Sequence, residues 1–272
     1  MKSFDAIIGH KKIISHFEEA IKTGKVSHAY LLSGEDGSGK MMIAKAVAKA
    51  LLCEHKDGCG ECAACKQVDS LNHPDVIYIT HEKYEIRVDD IRKGINETID
   101  IKPYSGDYKI YIIDDADRMN AGAQNALLKT LEEPPAYAVI LLLTNNKDRL
   151  LDTILSRCVS MTLGSVRESE IEDYLKANTG ASHADIAFAA AFSLGNIGRA
   201  LHVLDTEEFK DMLNDTMNVI THMKSMEIYE VVSYAKSLTK YKNEIYDFLD
   251  IIMVWYLSLI HISEPTRPEP IS

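Results

Sequence analysis

Four short stretches hold the residues best suited to chemistry. The first, Gly34-Glu35-Asp36-Gly37-Ser38-Gly39-Lys40-Met41, fits the phosphate-loop pattern G-x-x-x-x-G-K-[ST] at every position except the last. In such a loop the glycines, here Gly34, Gly37 and Gly39, let backbone N–H groups curl around phosphates. The Lys, here Lys40, reaches the terminal phosphates, and a closing hydroxyl holds Mg²⁺. Met41 offers only a thioether, a soft atom poorly suited to a hard cation. A glycine-rich turn without phosphate is the plain alternative, and the strand before and helical stripe after the loop argue against it.

The second stretch is Asp114-Asp115-Ala116-Asp117, at the end of an apolar run. A carboxylate at Asp114, on a strand expected to lie adjacent to the phosphate-loop strand, would order Mg²⁺ and its water. The following position commonly carries a Glu that polarises the attacking water. Asp115 is one methylene shorter, which would leave that base about 1 Å out of reach, enough to lower the rate on the order of 10²-fold. An acidic strand-to-loop turn is the alternative.

The third is the set Cys53, Cys59, Cys62 and Cys65, spaced C-x5-C-x2-C-x2-C. Four thiolates can close a tetrahedral zinc site, and a metal with all four positions filled is structural. Disulfides are the rival reading, disfavoured in a reducing cytosol. The fourth is Ser156-Arg157-Cys158. Arg157 is either a solvated charge or an arginine finger offered to a neighbouring subunit's nucleotide, a role worth about 10³- to 10⁵-fold in rate. Cys158 reads as a buried structural thiol. Arg199 lies in Gly195-Asn196-Ile197-Gly198-Arg199-Ala200-Leu201, where it either reports on phosphate or is a helix charge. His28 and His73 have no partners at metal spacing and read as packing or turn residues.

The elements that must position these residues follow from periodicity. Ala29 to Ser33 reads as a strand into the loop, and Ile43, Ala44, Val47, Ala48 and Leu51 as one helical stripe after it. Asp75 to Ile79, Lys109 to Ile113, Val139 to Leu143 and Cys158 to Leu163 read as further strands, the middle two as continuous apolar runs suited to burial on both faces of a parallel sheet. A short entry segment and then a helix are expected over 4–24, with further helices near 88–99 and 121–131, the last stopped by Pro134-Pro135. Strands alternating with helices predict a three-layer α/β domain over 1–164, with the four-cysteine zinc module at 53–65. Beyond Gly164 the pattern is purely helical: a small helical lid over 165–205 and a partial helical collar over 206–260. The stretch 261–272 places three of the seven prolines within six residues and reads as a non-native tail.

Thirty Lys and Arg against 41 Asp and Glu give a net charge of −11, which excludes non-specific polyanion binding by the whole chain. The first five residues lack an apolar signal core, and no run of about 18 apolar residues suggests a membrane span. A cytoplasmic protein is the expectation.

Across roughly residues 4 to 257 the sequence resembles the AAA+ clamp-loader family of bacterial DNA polymerase III. The resemblance rests on Ser27-His28-Ala29-Tyr30, the four-cysteine module, Asn72-His73-Pro74-Asp75, the run Asn125 to Pro135 that ends Leu-Glu-Glu-Pro-Pro, and Ile154-Leu155-Ser156-Arg157-Cys158. It implies a five-subunit ring that opens a sliding clamp and loads it on primed DNA, with ATP sites at subunit boundaries. It also implies gamma/tau and delta subunits as partners. Met41 and Asp115 depart from the motor pattern at the two places hydrolysis needs, so the chain is most similar to delta-prime-type subunits, in which the Arg matching Arg157 completes a neighbour's site. The alternative is an ATP-hydrolysing gamma/tau-type motor. The expected phosphate-site set is Gly34, Gly37, Gly39, Lys40, Asp114, Asn145 and Arg199, either vestigial or binding ATP or ADP without hydrolysis. Zinc is the expected structural cofactor.

Overall fold

The computed structural model describes residues 1–81, 84–222, 227, 248–253 and 256. In chain order the elements are α1 (Lys11–Thr23), β1 (Ala29–Ser33), α2 (Lys40–Leu52), α3 (Ala63–Asp69), β2 (Val76–Ile79) and α4 (Val88–Ile91, continued by a π-helical turn over Arg92–Asn96). They continue with β3 (Lys109–Ile113), α5 (Ala121–Glu132), β4 (Ala138–Thr144), α6 (Asp152–Leu155) and β5 (Val159–Thr162). Four helices follow: α7 (Glu168–Asn178), α8 (His183–Phe192), α9 (Ile197–Asp205) and α10 (Glu207–His222).

The five strands form one sheet in the order β2-β3-β4-β1-β5, and every pairing is parallel. The continuous apolar runs occupy its interior: every residue of β1, β3 and β4 is buried. The edge strands β2 and β5 are only partly covered, as strands with one neighbour tend to be. Alternation along the strands divides the core in two. Tyr30, Leu32, Ile110, Ile112, Leu141 and Leu143 pack on one face with Phe17, Ile43 and Val47. Leu31, Tyr111, Ile113, Ile140 and Leu142 pack on the other with Ile91, Leu127 and Leu131. Successive side chains point to opposite faces, so a sheet with two buried faces needs helices on both. The expected three-layer α/β architecture results.

One expectation about the sheet is corrected. Asp114 follows β3, and β3 is not adjacent to β1, because β4 lies between them. Successive parallel strands need not be spatial neighbours, and periodicity carries no information on strand order.

The chain divides into two compact units: Met1–Ile171 with Gly195–Gly198, and Glu172–Leu194 with Arg199–Ser272. In the second unit Phe192 is buried and packs edge-on against Phe209. Most of the expected collar beyond residue 222, and the proline-rich stretch 261–272, lie outside the described residues. Among those described, no helix is long and apolar enough to cross a membrane.

A buried polar knot secures the start of β2. The Asp75 carboxylate accepts hydrogen bonds from Tyr104 N (2.6 Å), Ser105 N (2.9 Å) and Ser105 Oγ (3.1 Å), and Asp75 N donates to His73 Nδ1 (3.1 Å). Burial lowers the His73 pKa, against the opposing pull of Asp75, and burial likewise lowers that of His10. A histidine whose folded pKa is depressed contributes its stability above its unfolded pKa, about 6.5, and loses it as pH falls through the folded value. Urea unfolding is therefore expected to show lower stability at pH 5.5 than at pH 7.5. His73→Asn, whose amide oxygen can accept the Asp75 N–H, is expected to flatten that slope.

Candidate phosphate loop and four-cysteine cluster

The phosphate loop leaves β1 at Ser33 and enters α2 at Lys40. Gly37 and Gly39 turn it with φ of 78° and 97°, a region that side chains with a Cβ rarely enter. Lys40 is buried, and its ammonium donates to Gly34 O (2.7 Å), Glu35 O (2.8 Å) and Asn145 Oδ1 (2.5 Å). Those three acceptors match its three donors. Burial lowers the Lys40 pKa, opposed by Asp36, Asp114, Asp115 and Asp117. Asn145, at the end of the interposed strand β4, also donates through Nδ2 to Asp36 Oδ1 (2.8 Å), so one amide side chain bridges both arms of the loop.

A strap from later in the sequence covers the loop. Asn196 Nδ2 donates to Asp36 O (2.6 Å), and Gly198 N donates to Gly37 O (3.0 Å). A Cβ on Gly198 would fall 2.5 Å from Gly37 Cα, so only glycine permits this approach. Nothing in the sequence gives Asn196 this role, and no local spacing announces a backbone-to-backbone approach between segments about 160 residues apart.

Met41 places no oxygen at the closing position of the loop. Its partly buried side chain packs against the core cluster that contains Ile43 and Leu163. Asp114 is held up from the usual carboxylate pKa by burial and by Asp115, with the Asp115 N–H and Lys40 opposing. Asp115 adopts a left-handed conformation (φ 50°), and its Oδ2 lies 3.1 Å from His81 Nε2 and 3.3 Å from Arg118 Nε. That carboxylate is committed to two local partners, a stronger constraint than the missing methylene alone. Asp117, unremarked in sequence beyond its place in an acidic run, accepts from Thr144 Oγ1 (2.9 Å) and Asn145 N (3.1 Å) and so fixes the end of β4. Gly34, Asp36, Lys40 and Asn145 thus share one network, in a loop turned by Gly37 and Gly39, with Asp114 near enough to act on the Lys40 charge.

Arg199 belongs to the second unit. Its guanidinium lies 4.7 Å from the centre of the Phe192 ring and pairs with the Asp250 carboxylate.

Arg157 stands just after α6, before the first residue of β5. The register Tyr30↔Val159 and Ser33↔Thr162 places it at the N-terminal end of the sheet, whereas the chain's own phosphate loop leaves the C-terminal end. Its Nη2 donates to Glu132 Oε1 (2.7 Å) and its Nη1 to Thr153 O (2.8 Å). Cys158 is partly buried against the second core cluster, and burial pushes its thiol pKa up to about 12, consistent with a structural role.

The four cysteines converge. Their sulfurs all lie within 4.8 Å of one another, with Cys53 to Cys59 at 3.7 Å and Cys53 to Cys62 at 3.9 Å. A disulfide needs about 2.05 Å, whereas a tetrahedral ion with metal–sulfur bonds of about 2.3 Å needs edges of about 3.8 Å. The residues present therefore fit one tetrahedral metal ion. Backbone N–H groups of His55 and Cys59 point at the Cys53 sulfur, and those of Glu61 and Cys62 at the Cys59 sulfur, each at 3.4 Å. Burial opposes ionisation of Cys53, but N–H donors from Cys59, Asp57 and His55 bring its thiol down to about 6. The helix α3, not foreseen from sequence, carries Cys65 and Val68 into the core beneath.

Comparison with known proteins places this arrangement in a family. Relatives include the DNA polymerase III subunit tau/gamma of Haemophilus influenzae, 38% identical over 177 residues, or 64% of this chain and 25% of that protein. Another is the DNA polymerase III subunit delta' of Bacillus subtilis, 31% identical over 227 residues, or 83% of this chain and 65% of that protein. The chain thus spans between a quarter and about two thirds of the length of these curated relatives. A RuvB variant of Thermotoga maritima superposes with a TM-score of 0.54 at 16% identity, covering 81% of this chain and 67% of that one, a likeness of AAA+ fold alone. The family described as "DNA polymerase III, delta subunit" matches residues 9–167, more than half of the chain. On that match the chain belongs to the DNA polymerase III delta-subunit family, a family of bacterial clamp-loader proteins.

Proposed function

We propose that the chain acts as a delta-prime-type subunit of a DNA polymerase III clamp loader: a non-hydrolysing ring component that offers Arg157 to a neighbouring ATPase subunit. One observation carries the reading against a motor. The position that supplies the Mg²⁺ hydroxyl in hydrolysing loops is here Met41, a thioether whose partly buried side chain packs against the hydrophobic core. Asp115, tied to His81 and Arg118, supports the same conclusion. The retained glycines and Lys40 fit a phosphate, so ATP or ADP would be held by Gly34, Gly37, Gly39, Lys40 and Asn145 without metal-assisted chemistry. Asp114 is the remaining carboxylate of that set, and Arg199 is its candidate in the second unit.

In this reading 1–164 is the AAA+ domain, 165–205 the lid and 206–260 part of a collar that joins gamma/tau and delta subunits in a hetero-pentamer. Sliding clamp and primed DNA are met through that complex, in the cytoplasm. The metal of the four-cysteine cluster is zinc, which supplies a structural cross-link.

The second reading is a gamma/tau-type motor, favoured by the 38% identity to a tau/gamma relative. ATP turnover separates the two. The isolated chain is expected to show no Mg²⁺-dependent hydrolysis, and Met41→Thr to restore none, because Asp115 stays engaged. Clear Mg²⁺-dependent turnover that Lys40→Ala abolishes would establish the motor reading instead.

A further inference from the structure

We propose that Glu132 is a positioning residue for Arg157, holding its guanidinium in the pose it presents to the neighbouring subunit; this rests on the trans role proposed above for Arg157. Two sequence features 25 residues apart, the Leu-Glu-Glu-Pro-Pro end of α5 and Ser156-Arg157-Cys158, meet in one hydrogen bond of 2.7 Å. A long arginine side chain in water samples many rotamers, and ordering it at the moment of reaction raises the barrier. Here the ordering is already done. Glu132 takes one Nη2 proton, while Thr153 O at 2.8 Å and Ser156 Oγ at 3.4 Å take those of Nη1. Of the five donors of a guanidinium, the Nε proton and the second Nη2 proton remain to meet a phosphate.

The anchors of this clasp stand on rigid elements. Glu132 is the last residue of α5, whose Leu127 and Leu131 are buried in the second core cluster. Thr153 lies on α6, whose Ile154 is fully buried. Buried Gln124 ties the two helices together: its Nε2 donates to Met119 O and Arg149 O, each at 3.1 Å, and its Oε1 accepts from Leu151 N at 2.8 Å. The ion pair itself is half in solvent, with side-chain exposures of 34% and 50%, so it adds little to stability. Orientation is what it supplies.

The test is ATP turnover of a reconstituted loader, with sliding clamp and primed DNA, containing the full chain or its variants. Glu132→Ala is expected to lower kcat on the order of 10-fold with subunit assembly and the KM for ATP unchanged, and Glu132→Gln, which keeps an acceptor oxygen, to stay closer to the parent. In the Arg157→Ala background Glu132→Ala is expected to do nothing more, whereas a merely structural role would lower turnover again. A change below threefold, a rise, or a further fall in that background overturns the inference. If Glu132→Ala fails to assemble, Glu132→Met, which keeps the side-chain length but has no acceptor oxygen, decides in its place by the same threefold limit. Loss with Arg157→Ala but not with the Glu132 variants leaves the arginine-finger reading standing and removes only this one. No loss with Arg157→Ala removes both.

Discussion

Arg157→Ala is expected to lower the clamp- and DNA-stimulated ATP turnover of a reconstituted loader by about 10³-fold at the site it serves, the lower end of the range for removing an arginine finger. The size of the effect follows from the chemistry of phosphoryl transfer, which leaves the protein little to do beyond positioning and stabilising charge on the transferring group. Arg157 cannot do this for its own chain's loop. It precedes β5 at the N-terminal end of the sheet, and the phosphate loop follows β1 at the other. A nucleotide that meets it must come from outside this chain's own loop, which in the proposed ring is the neighbouring subunit's. Arg157→Lys is expected to recover little, since an ammonium lacks the planar fork. The measurement is steady-state hydrolysis by the assembled loader, with subunit stoichiometry checked by size-exclusion chromatography. An unchanged rate in a complete complex would sink the trans role.

The second large effect concerns the metal. Stripping zinc with a chelator, or replacing Cys65 by Ser, is expected to unravel residues 53–69 and lower stability by about 4 kcal/mol, roughly 10 °C in Tm. The damage spreads because the cluster is part of the core rather than an appendage. Cys53, Cys65 and Val68 are buried, Tyr78 Oη donates to Val68 O (3.3 Å) from the edge strand, and Lys49 pairs with Asp69 (2.5 Å). Metal analysis should find one zinc per chain, and calorimetry should find the stripped protein melting earlier. Metal-free protein of undiminished Tm would exclude a structural metal.

Much of this was legible in the sequence, for identifiable reasons. The central strands announced themselves because burial on both faces demands unbroken apolar runs, as in Lys109–Ile113 and Ala138–Thr144. The phosphate loop and the cysteine cluster were legible because their chemistry fixes residue types at fixed local spacings. What failed to show was everything carried by spatial order. The interposition of β4 between β1 and β3 leaves no trace in periodicity, so sequence pattern alone sets Asp114 beside the wrong strand. His81 and Arg118 on Asp115, Glu132 on Arg157, and Gly198 on Gly37 are meetings of distant or unremarkable residues. Each pairing is created by the fold, and no motif announces which residues will meet.

The packing of Met41 bears on how readily a hydroxyl could be placed in the loop. A hydroxyl could be placed in the loop by one substitution at little cost if the residue at position 41 were fully exposed. Here Met41 is partly buried and packs against the first core cluster. Returning a threonine removes apolar volume from the first core cluster and leaves a gap there before any magnesium ligand is useful. Position 41 thus serves the packing as well as the loop, and a threonine engineered there is expected to cost stability before it offers a cation any ligand.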